Sequence, residues 1–182
     1  MKTALLIIDV QNDYFPEGRM ELHNSVDACS KIKDLLGHFR DHSMPVIYIQ
    51  HVSIKPGATF FLPDTHGVEI HDNVKPGPGE KVITKNYPNS FRNTELNDYL
   101  KNNNISKLVI VGMMTHMCID TSVRAAFDLG YECIVVGDCC ATRNLTINDN
   151  EISAENVQNS FLAALNGTFS KVIRKEDAVK IL

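Results

Sequence analysis

Continuous apolar runs alternate with segments of helical periodicity along most of the 182-residue chain. Unbroken runs such as residues 4–10 are typical of strands that are buried on both faces of a sheet. We therefore predict strands at residues 4–10, 45–51, 81–85, 108–112, 133–137 and 171–174, and helices at residues 24–42, 94–100, 118–129 and 152–165. Repeated strand–helix alternation indicates a single α/β domain over residues 1–182, in which helices cover both faces of a parallel sheet.

Two of the predicted helices have apolar stripes that identify their inward faces. The first has Asn24 as its predicted N-cap, and its stripe consists of Val26, Cys29, Ile32, Leu35, Leu36 and Phe39. The third ends before Gly130, and its stripe consists of Ile119, Val123, Ala126 and Phe127. We expect each stripe to pack on the sheet.

Residues 52–80 interrupt this alternation, because they are rich in Pro and Gly and have no strong periodicity. Long loops inside compact domains are usually functional lids, binding loops or partner contacts. A decorated surface loop is the alternative.

Composition and charge narrow the function classes. The hydrophobic fraction of 43%, the charged fraction of 22% and the formal net charge of -4 are ordinary for a soluble globular protein. No run rich in Lys or Arg is present, so we expect no nucleic-acid partner. The apolar stretch at residues 4–8 is too short for a signal segment or a membrane span. Five cysteines without framework spacing favour a reducing compartment, so we expect a cytoplasmic protein without a membrane partner.

Three reactive side chains follow predicted strands at their carboxyl ends, where ligands collect in parallel sheets. Asp9 lies at the carboxyl end of the first strand, Lys85 ends the third, and Cys118 comes shortly after the fourth. Taken alone, each has an ordinary structural explanation: a helix or loop cap, a solvated surface charge and a small core residue.

Together the three residues suggest nucleophilic chemistry. Cys118 lies where residues 112–118 turn into a helix, and a helix N-terminus and a nearby Lys85 each lower the pKa of a thiol. Backbone N–H groups of the same turn could receive an oxyanion. Asp9 emerges from a buried strand, which suits a base that holds a proton transiently.

Four segments carry a family resemblance: residues 6–13 (LIIDVQND), Lys85 with residues 87–91 (YPNSF), residues 112–118 (GMMTHMC) and residues 136–142 (VGDCCAT). In this order, over nearly the whole chain, they resemble the isochorismatase-like cysteine hydrolases. The resemblance implies a three-layer α/β/α fold with a six-stranded parallel sheet in the order 3-2-1-4-5-6. It also implies a catalytic triad of Asp9, Lys85 and Cys118.

Further expectations depend on the same resemblance. It implies a non-proline cis peptide bond, expected between Met113 and Met114, that directs the Met114 N–H beside the Cys118 N–H as an oxyanion hole. The implied activity is hydrolysis of a small-molecule amide through a thioester. Members of the family usually form dimers or tetramers, so we expect a homodimer or homotetramer, with residues 52–80 as the place for subunit contacts.

A substrate pocket is expected around the triad, since small-molecule pockets are mainly apolar with a few polar anchors. Its predicted residues are Gln11, Phe15, Tyr87, Asn89, Phe91, His116 and Met117. Core packing is an alternative role for the aromatic residues and Met117, and packing or backbone bonding for His116. Asp138 and Thr142 are expected to organise the loop after the fifth strand.

His51, His66 and His71 raise the question of a metal site. Nicotinamidases of this superfamily carry a D-x-H pattern after the second strand, and residues 49–53 (IQHVS) lack it. Spacing across an irregular loop is weak support for zinc binding. We therefore predict no metal and no cofactor.

The expected function is that of a cysteine hydrolase that cleaves a C–N bond of amide type. Isochorismatase-type vinyl-ether hydrolysis, metal-dependent nicotinamidase activity and a noncatalytic binding role are the alternatives. Because many acyl groups suit the same three residues, the sequence identifies no individual substrate.

Overall fold

The computed structural model describes residues 2–181, and the description below is of these residues. The strands are β1 (Lys2–Ile8), β2 (Val46–His51), β3 (Lys81–Lys85), β4 (Ile105–Met113), β5 (Glu132–Ala141), β6 (Leu145–Ile147), β7 (Asn150–Ile152) and β8 (Lys171–Ile173). The helices are α1 (Ser25–Asp41), α2 (Leu96–Asn102), α3 (Asp120–Asp128), α4 (Ala154–Leu165) and α5 (Lys175–Ile181). A single π-helical turn, Thr115–Ile119, leads into α3.

Six parallel strands form the central sheet in the order β3-β2-β1-β4-β5-β8. The predicted order is confirmed, with β8 as the sixth strand of the sheet. The numbering differs because β6 and β7 form a separate antiparallel hairpin that the apolar pattern did not reveal. Helix α5 was not predicted either, since only Ala178 of its residues is buried.

The central strand β1 is apolar and buried from Ala4 to Ile8, because this part of the strand supplies both cores. Leu5 and Ile7 face the core beneath α1 and α5, and Leu6 and Ile8 face the core beneath α2, α3 and α4. Side chains alternate between the faces of a strand, so a strand covered on both sides needs apolar residues at every position. The result is the predicted three-layer α/β/α architecture.

Two residues of the predicted inward stripes lie outside the core. Val26 is 58% exposed, because Ser25 and Ala28 occupy the inward positions of the first turn of α1. Phe127 is 42% exposed and packs edge-on against Phe169 at the flank of α3. The inward placement predicted for Val26 and Phe127 was therefore wrong. In α1 the small inward residues Ser25 and Ala28 gave no hydrophobic signal.

Asn24 occupies the predicted cap position of α1 without acting through its side chain. Its backbone is left-handed, with φ of 59°, and its side chain makes no capping hydrogen bond. The Asn24 carbonyl accepts from the Ala28 N–H instead.

Residues 52–80 contain two short 3₁₀ turns, His66–Val68 and Asp72–Val74, as their regular structure within the described chain. Phe61 and Val74 are buried in the α1-side core, and Glu80 holds the end of the segment through a two-fold bond to Arg40. The segment is thus attached to the domain at several points. Among residues 2–181, no helix has the length and hydrophobicity needed to cross a bilayer.

Gly112 allows the close contact of β1 and β4 at their carboxyl ends. It pairs with Ile8, and a Cβ atom built on Gly112 would overlap the Ile8 carbonyl oxygen. Its φ of 124° also lies in a region that side chains disfavour. Since Asp9 follows Ile8 directly, this contact determines where the Asp9 side chain begins.

We predict that Gly112→Ala lowers the free energy of unfolding by about 1–3 kcal/mol or more, through overlap and backbone strain. Urea denaturation followed by circular dichroism measures the change. Gly130→Ala is the matched control, because Gly130 also has positive φ, 89°, but its Cβ would meet no atom within 4 Å. Equal losses in the two variants would contradict the role of the Ile8 contact.

Candidate active site

Four strands bring their functional residues to one edge of the sheet. Asp9 follows β1, His51 ends β2, Lys85 ends β3, and Cys118 lies in the π-turn after β4. Because these strands are parallel, their carboxyl ends coincide, and the strand connections give each residue a fixed place there. Residues that are 109 positions apart in sequence thus become neighbours.

The Lys85 ammonium is the centre of this cluster. Its Nζ atom lies 2.7 Å from Asp9 Oδ2, 2.9 Å from His51 Nδ1 and 3.3 Å from Cys118 Sγ. An ammonium has three N–H donors, and each has one partner here. The side chains of Lys85 and Asp9 are completely buried.

Burial by itself lowers the pKa of Lys85, but the Asp9 carboxylate, the Cys118 sulfur and the hydrogen bonds to both outweigh it. The net direction is upward, so Lys85 carries its positive charge at neutral pH. The cluster therefore contains a permanent cation in a dry environment.

Asp9 offers one carboxylate oxygen to Lys85 and keeps the other free. Its Oδ1 atom is buried and has no hydrogen-bond partner among residues 2–181. The backbone of Asp9 is left-handed, with φ of 52°, while its N–H donates to the Ile49 carbonyl. An unpartnered buried oxygen next to a thiol is a potential proton acceptor.

The Cys118 thiol is 4% exposed, and its pKa is raised, first by burial and then by the Asp9 carboxylate. Lys85 lowers the Cys118 pKa, but by less than burial and Asp9 raise it. The expectation of a lowered pKa was therefore wrong, since burial outweighs the nearby lysine. Cys118 rests as a neutral thiol.

His51 is the cluster member whose place sequence reasoning missed, since only a metal-binding role was considered for it. Burial and then Lys85 lower the pKa of His51 to about 4, so the ring is neutral at physiological pH. The useful signal was its position as the last residue of β2, in register with Lys85.

Tyr14 is a second missed residue, and it forms part of an aromatic wall beside the Lys85 cluster. Its ring lies 4.5 Å from that of Phe61, whose ring is 5.9 Å from His51. The Tyr14 pKa is raised by burial and then by the charges of Cys118 and Asp9. The adjacent Phe15 was the predicted residue, and its ring instead lies 3.9 Å from that of His71.

The peptide bond between Met113 and Met114 is cis, as the family resemblance implied. The Met114 carbonyl accepts from the N–H groups of Met117 and Ile119. The π-turn is further attached through Thr115, whose hydroxyl donates to Gln158 of α4.

Comparison with known proteins shows the family to which the chain belongs. Residues 3–177 match the family model of the isochorismatase domain. The chain belongs to the isochorismatase family. It is 49% identical over 180 residues to the isochorismatase family protein YddQ of Bacillus subtilis, covering 99% of this chain and 100% of YddQ.

Two further comparisons extend this relationship. The crystal structure of an isochorismatase-family protein from Oleispira antarctica superimposes with a TM-score of 0.94 at 42% identity, covering 98% of this chain and 96% of that one. Streptothricin hydrolase of Streptomyces noursei is 31% identical over 142 residues, which is 78% of this chain and 55% of that protein.

In this isochorismatase-family hydrolase, two predicted pocket residues lie close to Cys118 in the π-turn. Met117 is 39% exposed at the surface of the π-turn. His116 is half-buried, and its Nδ1 atom is 2.6 Å from the Thr142 hydroxyl. Burial and then Arg143 lower the His116 pKa, so its ring is neutral.

The other predicted pocket residues make contacts within the fold. The Gln11 side chain bonds to the backbone of His51 and Val68. Asn89 accepts from the Phe91 N–H, and the Phe91 ring stacks 6.0 Å from Tyr131. The remaining one, Tyr87, has the Arg92 guanidinium 3.7 Å above its ring. Phe91 therefore packs toward Tyr131, which precedes β5 at the amino end of the strands, the end opposite to the Lys85 cluster.

Asp138, inside β5, and Thr142, directly after it, hold neighbouring elements together. Asp138 accepts from the Lys175 N–H at the start of α5 and lies 3.7 Å from Lys31 of α1. Thr142 joins the chain before α1 through a bridge to His23, besides contacting His116. The expectation that they organise the loop after the fifth strand was wrong for Asp138, because β5 extends to Ala141 and its contacts join β5 to α1 and α5.

A metal-like arrangement of ligand atoms occurs once in the described residues, at Asp9, His51 and Cys118. The Lys85 ammonium contacts all three, so a divalent cation bound there would displace it. His71 lies elsewhere, with its Nδ1 3.7 Å from Cys29 Sγ, and His66 is an exposed partner of Glu69.

We predict that Asp9→Asn lowers the free energy of unfolding by about 3–5 kcal/mol, because it leaves a buried ammonium without its counter-charge. Asn tolerates the left-handed backbone, so the loss reports on charge. Urea denaturation measures it. Asp27→Asn removes the exposed pair with Lys31 and serves as control, with an expected change below about 1 kcal/mol. Similar values for both variants would contradict a buried ion pair.

We also predict that Cys118 reacts with iodoacetamide more slowly at neutral pH than glutathione does. A raised pKa leaves little thiolate, so the rate should keep rising above the pH at which an ordinary thiol levels off. Mass spectrometry of the Cys118 peptide follows the reaction, and guanidinium-unfolded protein supplies the reference profile. Faster labelling than glutathione at neutral pH would show that Lys85 dominates.

Proposed function

We propose that this hydrolase cleaves a C–N bond of amide type in a small molecule, through a thioester on Cys118. The observation that carries the proposal is the shared ammonium: Lys85 contacts both the Asp9 carboxylate and the Cys118 sulfur, and Asp9 keeps one free oxygen. A base, a nucleophile and a fixed cation are the components that covalent acyl transfer needs.

The first step transfers the Cys118 proton to Asp9 as the sulfur attacks the substrate carbonyl carbon. The neutral resting thiol makes this transfer necessary, and the free Oδ1 atom is its acceptor. Lys85 keeps its charge and stabilises the negative sulfur through its N–H donor. Asp9 thereby becomes neutral, and the attack places the negative charge on the former carbonyl oxygen.

The oxyanion of the tetrahedral intermediate is assigned to the backbone N–H groups of Met114 and Cys118. Support comes from the position of both groups in the turn that carries the nucleophile, where first-turn N–H groups lack intrahelical acceptors. A donor of this kind accelerates acyl transfer by about 10²–10³-fold in known enzymes.

Collapse of the intermediate breaks the C–N bond, and Asp9 returns its proton to the leaving nitrogen. The product amine departs and leaves the thioester. Asp9 then accepts a proton from water as that water attacks the thioester, and the protonated Asp9 gives the proton back to the Cys118 sulfur. The sum is hydrolysis, with every side chain restored.

A small organic substrate is supported by the relative named for streptothricin hydrolysis, and by the closed character of the site. Vinyl-ether hydrolysis, the earlier alternative, needs no nucleophilic sulfur. Nicotinamidase activity that depends on a metal would need ligands away from Lys85.

We predict that Cys118→Ala lowers the rate of amine or ammonia release by about 10³-fold or more, because no thioester can form. A panel of small amides, ureido acids and lactams supplies the substrates, with coupled ammonia detection and chromatography as readouts. Cys133→Ala is the matched control, because Cys133 is buried near the start of β5, far from the triad, and full activity is expected.

Intact-protein mass spectrometry after rapid acid quenching should show wild-type protein heavier by the acyl group, and Cys118→Ala protein unchanged. Turnover that survives Cys118→Ala would overturn the thioester mechanism. Turnover of a vinyl ether, with no amide in the panel cleaved, would transfer the assignment to isochorismatase-type chemistry.

A further inference from the structure

We infer that His51 is a positioning residue of the reaction, which holds the Lys85 ammonium between Asp9 and Cys118 by accepting its third N–H. The inference rests on the proposed function for its catalytic meaning. The contact itself is given by the 2.9 Å separation of Lys85 Nζ and His51 Nδ1.

A buried ammonium needs a partner for every proton. Lys85 has two partners in the triad, and an unsatisfied third N–H in a dry environment would cost about 1–3 kcal/mol or more. The four-carbon lysine side chain is flexible, so two partners leave its nitrogen free to turn toward the stronger one, Asp9. A third acceptor on the other side, His51, opposes that movement.

His51 is itself firmly held. The Gln11 side chain accepts from the His51 N–H at 2.8 Å and donates to the His51 carbonyl at 2.9 Å. Gln11 lies two residues after Asp9, and β2 pairs His51 with Lys85. Gln11, His51, Lys85 and Asp9 thus form a closed ring of contacts. Through His51 on β2, this ring connects β1, which precedes Asp9, with β3, which carries Lys85.

This ring of contacts requires one tautomer of the His51 imidazole. His51 Nδ1 accepts a proton from Lys85, so the ring proton is on Nε2, and a charged His51 ring would direct an N–H against the ammonium. The pKa of His51, lowered to about 4 by burial and then by Lys85, agrees with a neutral ring. The groups that face the ring and its partners are Lys85, Asp9 and Cys118, together with the apolar ring of Phe61.

A residue that acts only through Lys85 should affect the chemical step more than binding. We expect His51→Leu to lower kcat by about 10–100-fold, the usual effect of losing a supporting contact, with KM changed less than about 3-fold. His51→Asn places an amide oxygen near the position of Nδ1, and we expect it to recover most of the loss. His66→Leu is the matched control, because His66 is exposed and lies outside the cluster.

A second measurement needs no substrate. Lys85 lowers the Cys118 pKa, so a displaced Lys85 should shift the pH profile of Cys118 alkylation to higher pH in His51→Leu, and not in His51→Asn or His66→Leu. An unchanged profile in His51→Leu, or an equal loss of kcat in His51→Leu and His51→Asn, would overturn the inference. These outcomes are independent of whether Cys118 forms a thioester.

If His51→Leu fails to fold, nitrogen-15 NMR of wild-type protein still tests the contact. The Nε2-protonated neutral tautomer is expected at neutral pH. Observation of the Nδ1-protonated tautomer, or of a charged ring, would remove the acceptor and with it the proposed role.

Discussion

The buried charge of Lys85 is the constraint on which the rest of the site depends. An ammonium in a dry interior is stable only when negative or accepting groups surround it, and three strand ends and a π-turn supply those groups. The same surroundings make the Cys118 thiol reluctant to ionise, since burial removes water from the sulfur as well. The resting state is therefore one cation, one carboxylate and neutral neighbours, which is electrically balanced and chemically poised.

Much of the fold followed from simple patterns. Strand β3 has its predicted bounds, and β1 and β4 were identified by apolar runs, because a strand covered on both faces has no polar positions. The hairpin of β6 and β7 was not predicted because none of its six residues is buried. Val26 was wrongly predicted to face the core because it is apolar. The inward positions of that turn are instead occupied by the small residues Ser25 and Ala28.

At the site, the sequence indicated which residues lie at strand ends, and it did so for Asp9 and Lys85 through the parallel-sheet rule. It could not indicate the sign of the Cys118 pKa shift, because that sign depends on how completely the sulfur is buried. His51 and Tyr14 were overlooked because their roles depend on residues distant in sequence, Lys85 on the adjacent strand and Phe61 in the loop. Motif residues attract attention, whereas a histidine that supports a lysine from an adjacent strand has no local signature.

The short turn after β1 connects Asp9 to the aromatic wall formed by Tyr14 and Phe61. Asp13 accepts from the Phe61 N–H at 2.6 Å, and Tyr14 packs on the Phe61 ring, so the aromatic wall is attached within five residues of the base. Residues 54–58 precede this attachment on the exposed side of the loop, and Gly57 there has open space around it. Insertions and deletions at that tip would change the exposed surface of the loop and leave the aromatic wall and the charged residues in place. The length of this exposed tip and the arrangement of charges around Lys85 can therefore change independently.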